Sequence, residues 1–400
     1  MSRQTLTTDV VIIGAGIGGL WLHHRLNNMG FHSLLLESNM IGNAQTLSSQ
    51  GIIHGGSKYA LNGILSKASQ AISSMPSRWK DCLTGEGEID LSLVNVLAYH
   101  QLLWSKEQLS SKMVSFFASK ALSSRMQTVA NEEDRPDLFR HPDFKGALYQ
   151  LDEPVLDIPS VLKSLAQPWQ DRILKISSDA PITWKQKQGM VTAIHLDDEI
   201  EIQAQHFVLT AGEGNENLLQ SLGVNKPVMQ RRPLQMVLCK AKNKQLALPA
   251  IYAHSLGSGS KPIATITSHY TEDGNVVWYI GGNIAEQGVG KTGQQLTTEA
   301  TDLLHDILPW FELPELEWAT HKVNRAEPKQ SALSRPDTAF VESRNNIHIA
   351  WPTKLALAPD LADRVIMQLQ KENLQAGQHK TVASLPSAVI GKPLWDKAFQ

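Results

Sequence analysis

The sequence predicts an α/β fold in which a Rossmann-type βαβ domain is interleaved with an α+β domain built on an antiparallel sheet. Residues 9–13 form an apolar, β-branched run that ends on a cluster of glycines, and residues 20–29 carry apolar side chains at helical spacing. A second strand at residues 32–36 completes one βαβ unit in about 30 residues. Between residues 231 and 284, strand-like runs alternate with turn signals, which predicts the antiparallel sheet.

The remaining elements follow in chain order. Residues 156–160 are typical of a helix start, with Pro159 in the first turn and a polar cap. Residues 199–212 alternate and then become apolar before Ala211 and Gly212, which indicates a strand of the core sheet. Residues 347–350 predict a last short strand, and residues 359–370 a closing helix.

Composition limits the class of protein. At 400 residues the chain exceeds a usual single-core domain, so we expect two domains. Its 37 Lys and Arg nearly balance 39 Asp and Glu, leaving no broad basic surface, and we expect no nucleic-acid partner. Two cysteines, Cys82 and Cys239, suit a reducing compartment. With no signal-peptide pattern and no apolar run near 20 residues, we expect a cytoplasmic protein whose membrane association, if any, is peripheral.

The glycine cluster fits the dinucleotide-binding fingerprint G-x-G-x-x-G. Gly14 would allow the tight turn, Gly16 the approach of backbone to a pyrophosphate, and Gly19 the packing of helix on strand. Glu37 stands at the end of the next strand, where a carboxylate can accept hydrogen bonds from an adenosine ribose. The alternative is a structural βαβ unit without a ligand. The residues predicted to bind the dinucleotide are Gly14, Ala15, Gly16, Ile17, Gly18, Gly19, Glu37 and Ser38.

The segment after the ribose carboxylate indicates which dinucleotide. Residues 42–59 are rich in small and hydrogen-bonding side chains and include the run Gly51-Ile52-Ile53-His54-Gly55-Gly56. This segment resembles the D-amino-acid oxidase superfamily of FAD enzymes, and most of all the branch containing L-2-hydroxyglutarate oxidase and FAD-dependent glycerol-3-phosphate dehydrogenase. The resemblance implies FAD as the cofactor.

Other patches share the resemblance through about residue 370. They are residues 156–159, 206–212, 267–269 with 273–274 and 281–283, and 323–326. Residues 351–359 depart from the family's Gly-rich loop, although their amides could still face the flavin pyrimidine and Lys354 could stabilise its reduced anion. The further cofactor contacts implied by the resemblance are Gln45, Ser49, Gln50, His54, Ala211, Gly212, Pro352, Thr353, Lys354 and Leu355.

The resemblance also implies a domain division. Residues 1–85, 150–225 and 325–375 would form a Rossmann-type FAD-binding domain. Residues 86–149 and 226–324 would form an α+β substrate domain, and residues 376–400 a C-terminal extension.

Four residues are candidates for the chemistry. Arg325 matches the family arginine that would bind the charged end of a substrate, with a salt bridge to Glu327 as the alternative. His54 and His269 are candidate bases because histidine titrates near neutrality. Each could instead be a structural histidine of the cofactor shell, and His54 could also attach the flavin covalently. Lys354 is the fourth.

Four further residues could lie near the substrate. Lys58 and Tyr59 could line the pocket. Arg231 and Arg232 could reach an anionic substrate, but strand-edge charges are the favoured interpretation. The sequence holds no H-E-x-x-H, C-x-x-C or P-loop lysine, so no metal site is predicted.

Together these features predict an FAD-dependent oxidase or dehydrogenase. A hydride would pass from a C–H bond next to an alcohol or amine of a small 2-hydroxy acid or amino acid to flavin N5, and oxygen or a quinone would reoxidise the flavin. Two alternatives stay open: a flavoenzyme acting on a larger molecule, such as a natural-product intermediate or a modified base, and a non-catalytic FAD-binding protein.

Overall fold

The computed structural model describes residues 4–56, 71–106, 126–197, 199–257, 262–329, 338–379 and 385–400. Within these residues it has seven α-helices. They are α1 Ile17–Asn28, α2 Met75–Leu83, α3 Ile158–Ala166, α4 Asn215–Ser221, α5 Asn283–Gln287, α6 Gly293–Ile307 and α7 Ala358–Lys371.

The same residues contain eighteen strands. They are β1 Gln4–Ile13, β2 Ser33–Glu37, β3 Val96–Ala98, β4 Gln101–Ser105, β5 Met126–Thr128, β6 Ala147–Leu151, β7 Val155–Leu156, β8 Ile173–Lys175, β9 Thr183–Lys187, β10 Met190–Leu196, β11 Ile200–Leu209, β12 Met229–Ala241, β13 Tyr252–Leu256, β14 Pro262–Tyr270, β15 Val276–Gly281, β16 Leu316–Pro328, β17 Phe340–Arg344 and β18 Ile347–Trp351.

The first sheet has the order β17-β18-β11-β1-β2-β8, with the hairpin β9–β10 attached to β11. Strands β18, β11, β1, β2 and β8 run parallel. Helices α1 and α7 cover one face, where Val10, Ile12 and Val208 lie in the same buried cluster as Leu20 and Val365. The other face is also buried, in a cluster that includes Val11, Ile194 and Phe207. Because both faces are covered, the central strands have the nearly continuous apolar runs that predicted them.

The second sheet has eight strands in the order β16-β12-β15-β14-β13-β4-β6-β5. All neighbouring pairs are antiparallel except β13 and β4, which run parallel. One face packs on α6 through residues that include Val237, Ile266, Trp278 and Leu304. The opposite face carries His254, Thr265, Thr267 and Tyr279, and this face meets the segment that follows β2.

The C-terminal residues 385–400 join the two sheets. Lys175 donates its amide to Pro386 O and Ile41 donates to Val389 O, so the tail first follows the edge of the first sheet. Trp395 then lies 2% exposed against the second sheet, with its ring stacked on His269 at 3.9 Å between centroids. Among the described residues, no helix has the length and apolar character needed to cross a bilayer.

Candidate flavin and substrate site

The turn after β1 is built on two crowded glycines. Gly14 has φ 107°, and a Cβ there would lie 2.5 Å from Ala211 Cα. A Cβ on Gly19 would lie 2.0 Å from Gly14 O and 2.7 Å from Thr210 Oγ1. The absence of both side chains therefore lets α1 approach β1 and β11 closely.

The N-terminus of α1 is arranged for an anion. Gly16 is the N-cap residue with an extended backbone, and a Cβ on it would meet only Thr46 Oγ1, at 3.4 Å. Ile17 donates its amide to Thr46 Oγ1 at 3.0 Å. The first turn holds no acidic residue, so the positive end of the helix dipole is not neutralised there.

Glu37 closes the other side of this turn. Its Oε2 accepts from the amide of Ala15 at 2.7 Å, and its Oε1 accepts from Asn39 N at 2.7 Å. Burial raises the pKa of this carboxyl, and these amide hydrogen bonds oppose the shift. Ser38 is exposed beside it. The carboxylate is thus held next to the glycine turn, where a ribose would need it.

Residues 45–54, which we call the crossing segment, run across the second sheet from β16 to β13. Gln45 Oε1 accepts from the amide of Ala326 at 3.2 Å. Gln50 Nε2 donates to Thr265 O at 3.0 Å and to Tyr279 O at 2.9 Å. Gln50 also approaches Gly281 closely, because a Cβ on that glycine would lie 2.8 Å from Gln50 Oε1. Within the segment, Ser49 Oγ donates to Thr46 O at 2.8 Å.

Two further predicted patches meet the same region. A Cβ on Gly212 would lie 3.3 Å from Gln45 Nε2, and a Cβ on Gly18 would lie 3.4 Å from Pro352. Thr353 has φ 62°, a left-handed conformation that a β-branched residue rarely adopts. It therefore adopts the conformation that a glycine of the family's usual loop would favour. Lys354 and Leu355 then begin the short 3-10 turn that leads into α7.

His54 ends the crossing segment beside a buried carboxylate. Its Nδ1 lies 3.2 Å from Glu153 Oε2, and the amide of Gly55 donates to Glu153 Oε1 at 2.8 Å. The Glu153 side chain is 4% exposed, whereas that of His54 is 30% exposed. The His54 ring stacks on His254 of β13, with centroids 5.9 Å apart. In this arrangement the buried carboxylate orients the imidazole ring.

Gln101 lies on the same face of the second sheet. Leu102 pairs with Ala253 and Leu103 with His254, so alternation places Gln101 next to Tyr252 on the face that carries His254. Gln101 is fully buried, and neither of its amide atoms has a hydrogen-bond partner among the described residues. An unpaired buried amide costs about 1–3 kcal/mol, which favours a partner such as a water or a ligand.

Arg325 lies at the other side of this face, on β16. Glu327, the alternative partner considered for it, accepts from Arg232 Nη1 at 3.0 Å. Arg231 pairs with Glu213 at 2.5 Å and with Glu216, which is the strand-edge arrangement favoured for it. Strands β12, β15 and β14 separate β16 from β13, so the axes of β16 and β13 lie four spacings of about 4.8 Å, or roughly 19 Å, apart across a flat sheet.

His269 is placed differently from His54. It is 1% exposed, stacked on Trp395, with Nε2 3.0 Å from Thr267 Oγ1. Burial lowers its pKa from 6.5 to about 3. This environment suits a neutral packed imidazole better than a base open to a substrate. Lys58 and Tyr59 lie outside the described residues.

The sequence-based reasoning did not identify Glu153, His254 or Gln101. Glu153 stands three residues before the Leu156-Asp157-Ile158-Pro159 patch, and that proximity could have drawn attention to it. His254 and Gln101 lie in ordinary strand patterns, so their shared face becomes apparent only from the strand pairing.

The glycine turn, Glu37 and the crossing segment together fit a long dinucleotide cofactor. The glycine turn, the acid-free N-terminus of α1 and Glu37 form a cradle suited to a pyrophosphate and a ribose. The crossing segment continues from this cradle along the second sheet to His54.

Comparison with known proteins agrees with this fit. The family described as FAD dependent oxidoreductase, DAO, matches residues 9–349. The probable FAD-dependent oxidoreductase PA4991 of Pseudomonas aeruginosa is 46% identical over 397 residues, which are 99% of each chain. Its crystal structure superposes with a TM-score of 0.86, at 40% identity in the structural alignment over 99% of each chain. The L-proline dehydrogenase of P. horikoshii shares the fold, with a TM-score of 0.66 and 14% identity over 93% of this chain and 96% of that one. The chain therefore belongs to the DAO family of FAD-dependent oxidoreductases and is an enzyme that uses FAD.

Proposed function

We propose that the enzyme oxidises a C–H bond next to an amine or alcohol in a small anionic substrate, an amino acid or a 2-hydroxy acid. The observation that supports this is the pair of His54 and buried Glu153 at the end of the crossing segment. An amino acid appears in the name of the L-proline dehydrogenase that shares the fold. Closeness to the L-2-hydroxyglutarate oxidase branch, whose substrate would be a 2-hydroxy acid, stays a prediction.

The chain's own contribution is to place the substrate and to accept its proton. Bound FAD would supply the hydride acceptor for the hydrogen and both electrons of the C–H bond. The substrate nitrogen or oxygen must then lose a proton as the C=N or C=O bond forms. Because Nδ1 of His54 faces Glu153 Oε2, we assign the acceptance of that proton to the other ring nitrogen, Nε2. Glu153 would stabilise the resulting imidazolium.

Two groups are available for the rest of the substrate. Gln101 can hydrogen-bond a polar group close to His54, since its buried amide has no protein partner among the described residues. Arg325 stays our candidate for the carboxylate. Since the axes of β16 and β13 lie roughly 19 Å apart across a flat sheet, an amino acid would contact both Arg325 and His54 only if the arginine side chain extended along the face. A substrate that contacts the backbone regions around both Arg325 and His54 would favour the second candidate function, which is oxidation of a larger molecule.

The first test mixes the FAD-loaded enzyme anaerobically with amino acids, 2-hydroxy acids, polyols and amines. The reaction is monitored by the visible absorbance of the flavin. We expect one anionic class to bleach the flavin. His54→Gln and Glu153→Gln should slow that bleaching about 10²–10⁴-fold while FAD stays bound. His195→Gln is a matched control, because His195 also pairs with a glutamate, Glu201 at 2.9 Å, but on the first sheet. Bleaching by His54→Gln at the wild-type rate would remove the proposed base.

Arg325→Ala tests the charged end. We expect a higher KM for the anionic donor with unchanged FAD retention, since the removed group would bind substrate and not cofactor. Arg231→Ala is the control, because this exposed arginine already pairs with Glu213. An unchanged KM would exclude Arg325 from a small-substrate site, whereas no bleaching by any small donor would favour the larger substrate.

A further inference from the structure

A second cluster of chemically active side chains lies away from the flavin site, where β18 begins and α7 ends. His206 of β11, His348 of β18 and Glu372 at the C-cap of α7 bring three potential ligand atoms together. His206 Nδ1 lies 3.2 Å from His348 Nε2 and 3.4 Å from Glu372 Oε2, and His348 Nε2 lies 3.9 Å from the same oxygen. We propose that these three residues bind a zinc ion.

The three separations match a tetrahedral site. They define a triangle whose circumscribed circle has a radius of about 2.0 Å, close to the radius of about 1.9 Å that three ligands of a tetrahedral zinc ion define when they stand about 3.3 Å apart. Tetrahedral zinc ligands stand about 3.3 Å apart. An octahedral facial triad would hold its ligands about 3.0 Å apart, closer than any pair here, so the geometry favours zinc over iron.

The histidine rings are oriented toward the cluster. His348 is fully buried, and Ser343 Oγ lies 2.8 Å from its Nδ1, which fixes the ring so that Nε2 faces the cluster. Nδ1 of His206 and Nε2 of His348 therefore face each other and the carboxylate of Glu372, as the ligands of a single ion would.

The surroundings also favour a cation. Glu372 lies at the C-terminal end of the 14-residue helix α7, where the helix dipole is negative. Among the described residues, the side chains that its carboxylate faces as potential partners are these two histidines. The Glu372 side chain is 32% exposed, which leaves a side open for water as the fourth ligand. The ion would join β11, β18 and α7 at the end of the first sheet opposite the glycine turn.

The test is a zinc titration of the untagged, FAD-loaded full chain after dialysis against a chelator, with bound zinc measured by atomic emission. We expect one zinc per wild-type chain and none in His348→Ala or Glu372→Gln. Glu372→Gln is the safer variant for folding, because the side chain is partly exposed and keeps its shape. His195→Gln, which alters a histidine–glutamate pair elsewhere in the first sheet, should still bind one zinc. Ser343→Ala should weaken zinc binding about 10–100-fold.

Cobalt provides a second readout that does not depend on activity. The difference spectrum of the Co²⁺-loaded against the Zn²⁺-loaded protein cancels the flavin and should show the intense bands of tetrahedral cobalt, which Glu372→Gln should lose. Substoichiometric zinc in the wild type, a wild-type zinc content in both ligand variants, or an octahedral cobalt spectrum would each overturn the proposal.

Discussion

Alanine at Gly19 or at Gly16 separates the packing role of the glycine turn from its binding role. At Gly19 the new Cβ would lie 2.0 Å from Gly14 O, more than 1 Å inside a normal carbon–oxygen contact of about 3.3 Å. The oxygen belongs to the backbone, so α1 must move away from β1. We expect the clash to cost about 1–3 kcal/mol or more, which outweighs the roughly 1 kcal/mol by which helix propensity favours Ala.

At Gly16 the expected result is the opposite. The new Cβ would meet Thr46 Oγ1 at 3.4 Å, an ordinary contact, so the apoprotein should keep its stability within about 0.5 kcal/mol. The methyl group would instead hold a phosphate away from the backbone. Loss of one charged hydrogen bond of about 1.5–3 kcal/mol predicts FAD binding weaker by roughly 10–100-fold.

The assay is urea unfolding of the flavin-free variants, together with FAD titration by flavin fluorescence. Gly19→Ala should lower the unfolding midpoint of the apoprotein, whereas Gly16→Ala should change only the FAD affinity. Equal apoprotein stability for Gly19→Ala and the wild type, or wild-type FAD affinity for Gly16→Ala, would refute the division of roles.

Three further predictions concern the tail, the buried histidine and the flavin linkage. Trp395→Ala, at a 2% exposed ring stacked on His269, should lower the free energy of unfolding by about 3 kcal/mol in urea, and a neutral effect would mean that the tail does not stabilise the second sheet. The pKa of His269 falls from 6.5 to about 3 on folding, so the unfolded chain binds the extra proton and stability decreases as pH falls from about 6.5 toward 3. His269→Phe should reduce that slope by up to about 1.4 kcal/mol per pH unit, and an unchanged slope would contradict the shift. Acid precipitation should release the flavin into solution; flavin that stays with the protein would indicate covalent attachment, with His54 as the residue to examine.

Individual residues show which contacts a local sequence pattern can predict and which it cannot. Asp157 caps α3 by accepting from Ser160 N at 3.0 Å, and Pro159 lies in the first turn, as predicted from residues 156–160 alone. The partner of His54 could not be predicted in the same way, because Glu153 is 99 positions away in the chain. No spacing rule connects His206 with His348, which are 142 positions apart, so the sequence predicted no metal site where we now propose one.

By itself the sequence determined the βαβ unit, its glycine turn and the position of Glu37 after the second strand, because each of these is encoded in a continuous stretch of chain whose local periodicity fixes its structure, and its short motifs indicated the FAD family. Tertiary structure decided which distant residues meet. Strand order placed Arg325 and His54 at opposite sides of one sheet face, and the docked C-terminal tail enclosed His269 behind Trp395. Such contacts depend on the pairing of strands and the burial of surfaces, which no local pattern encodes.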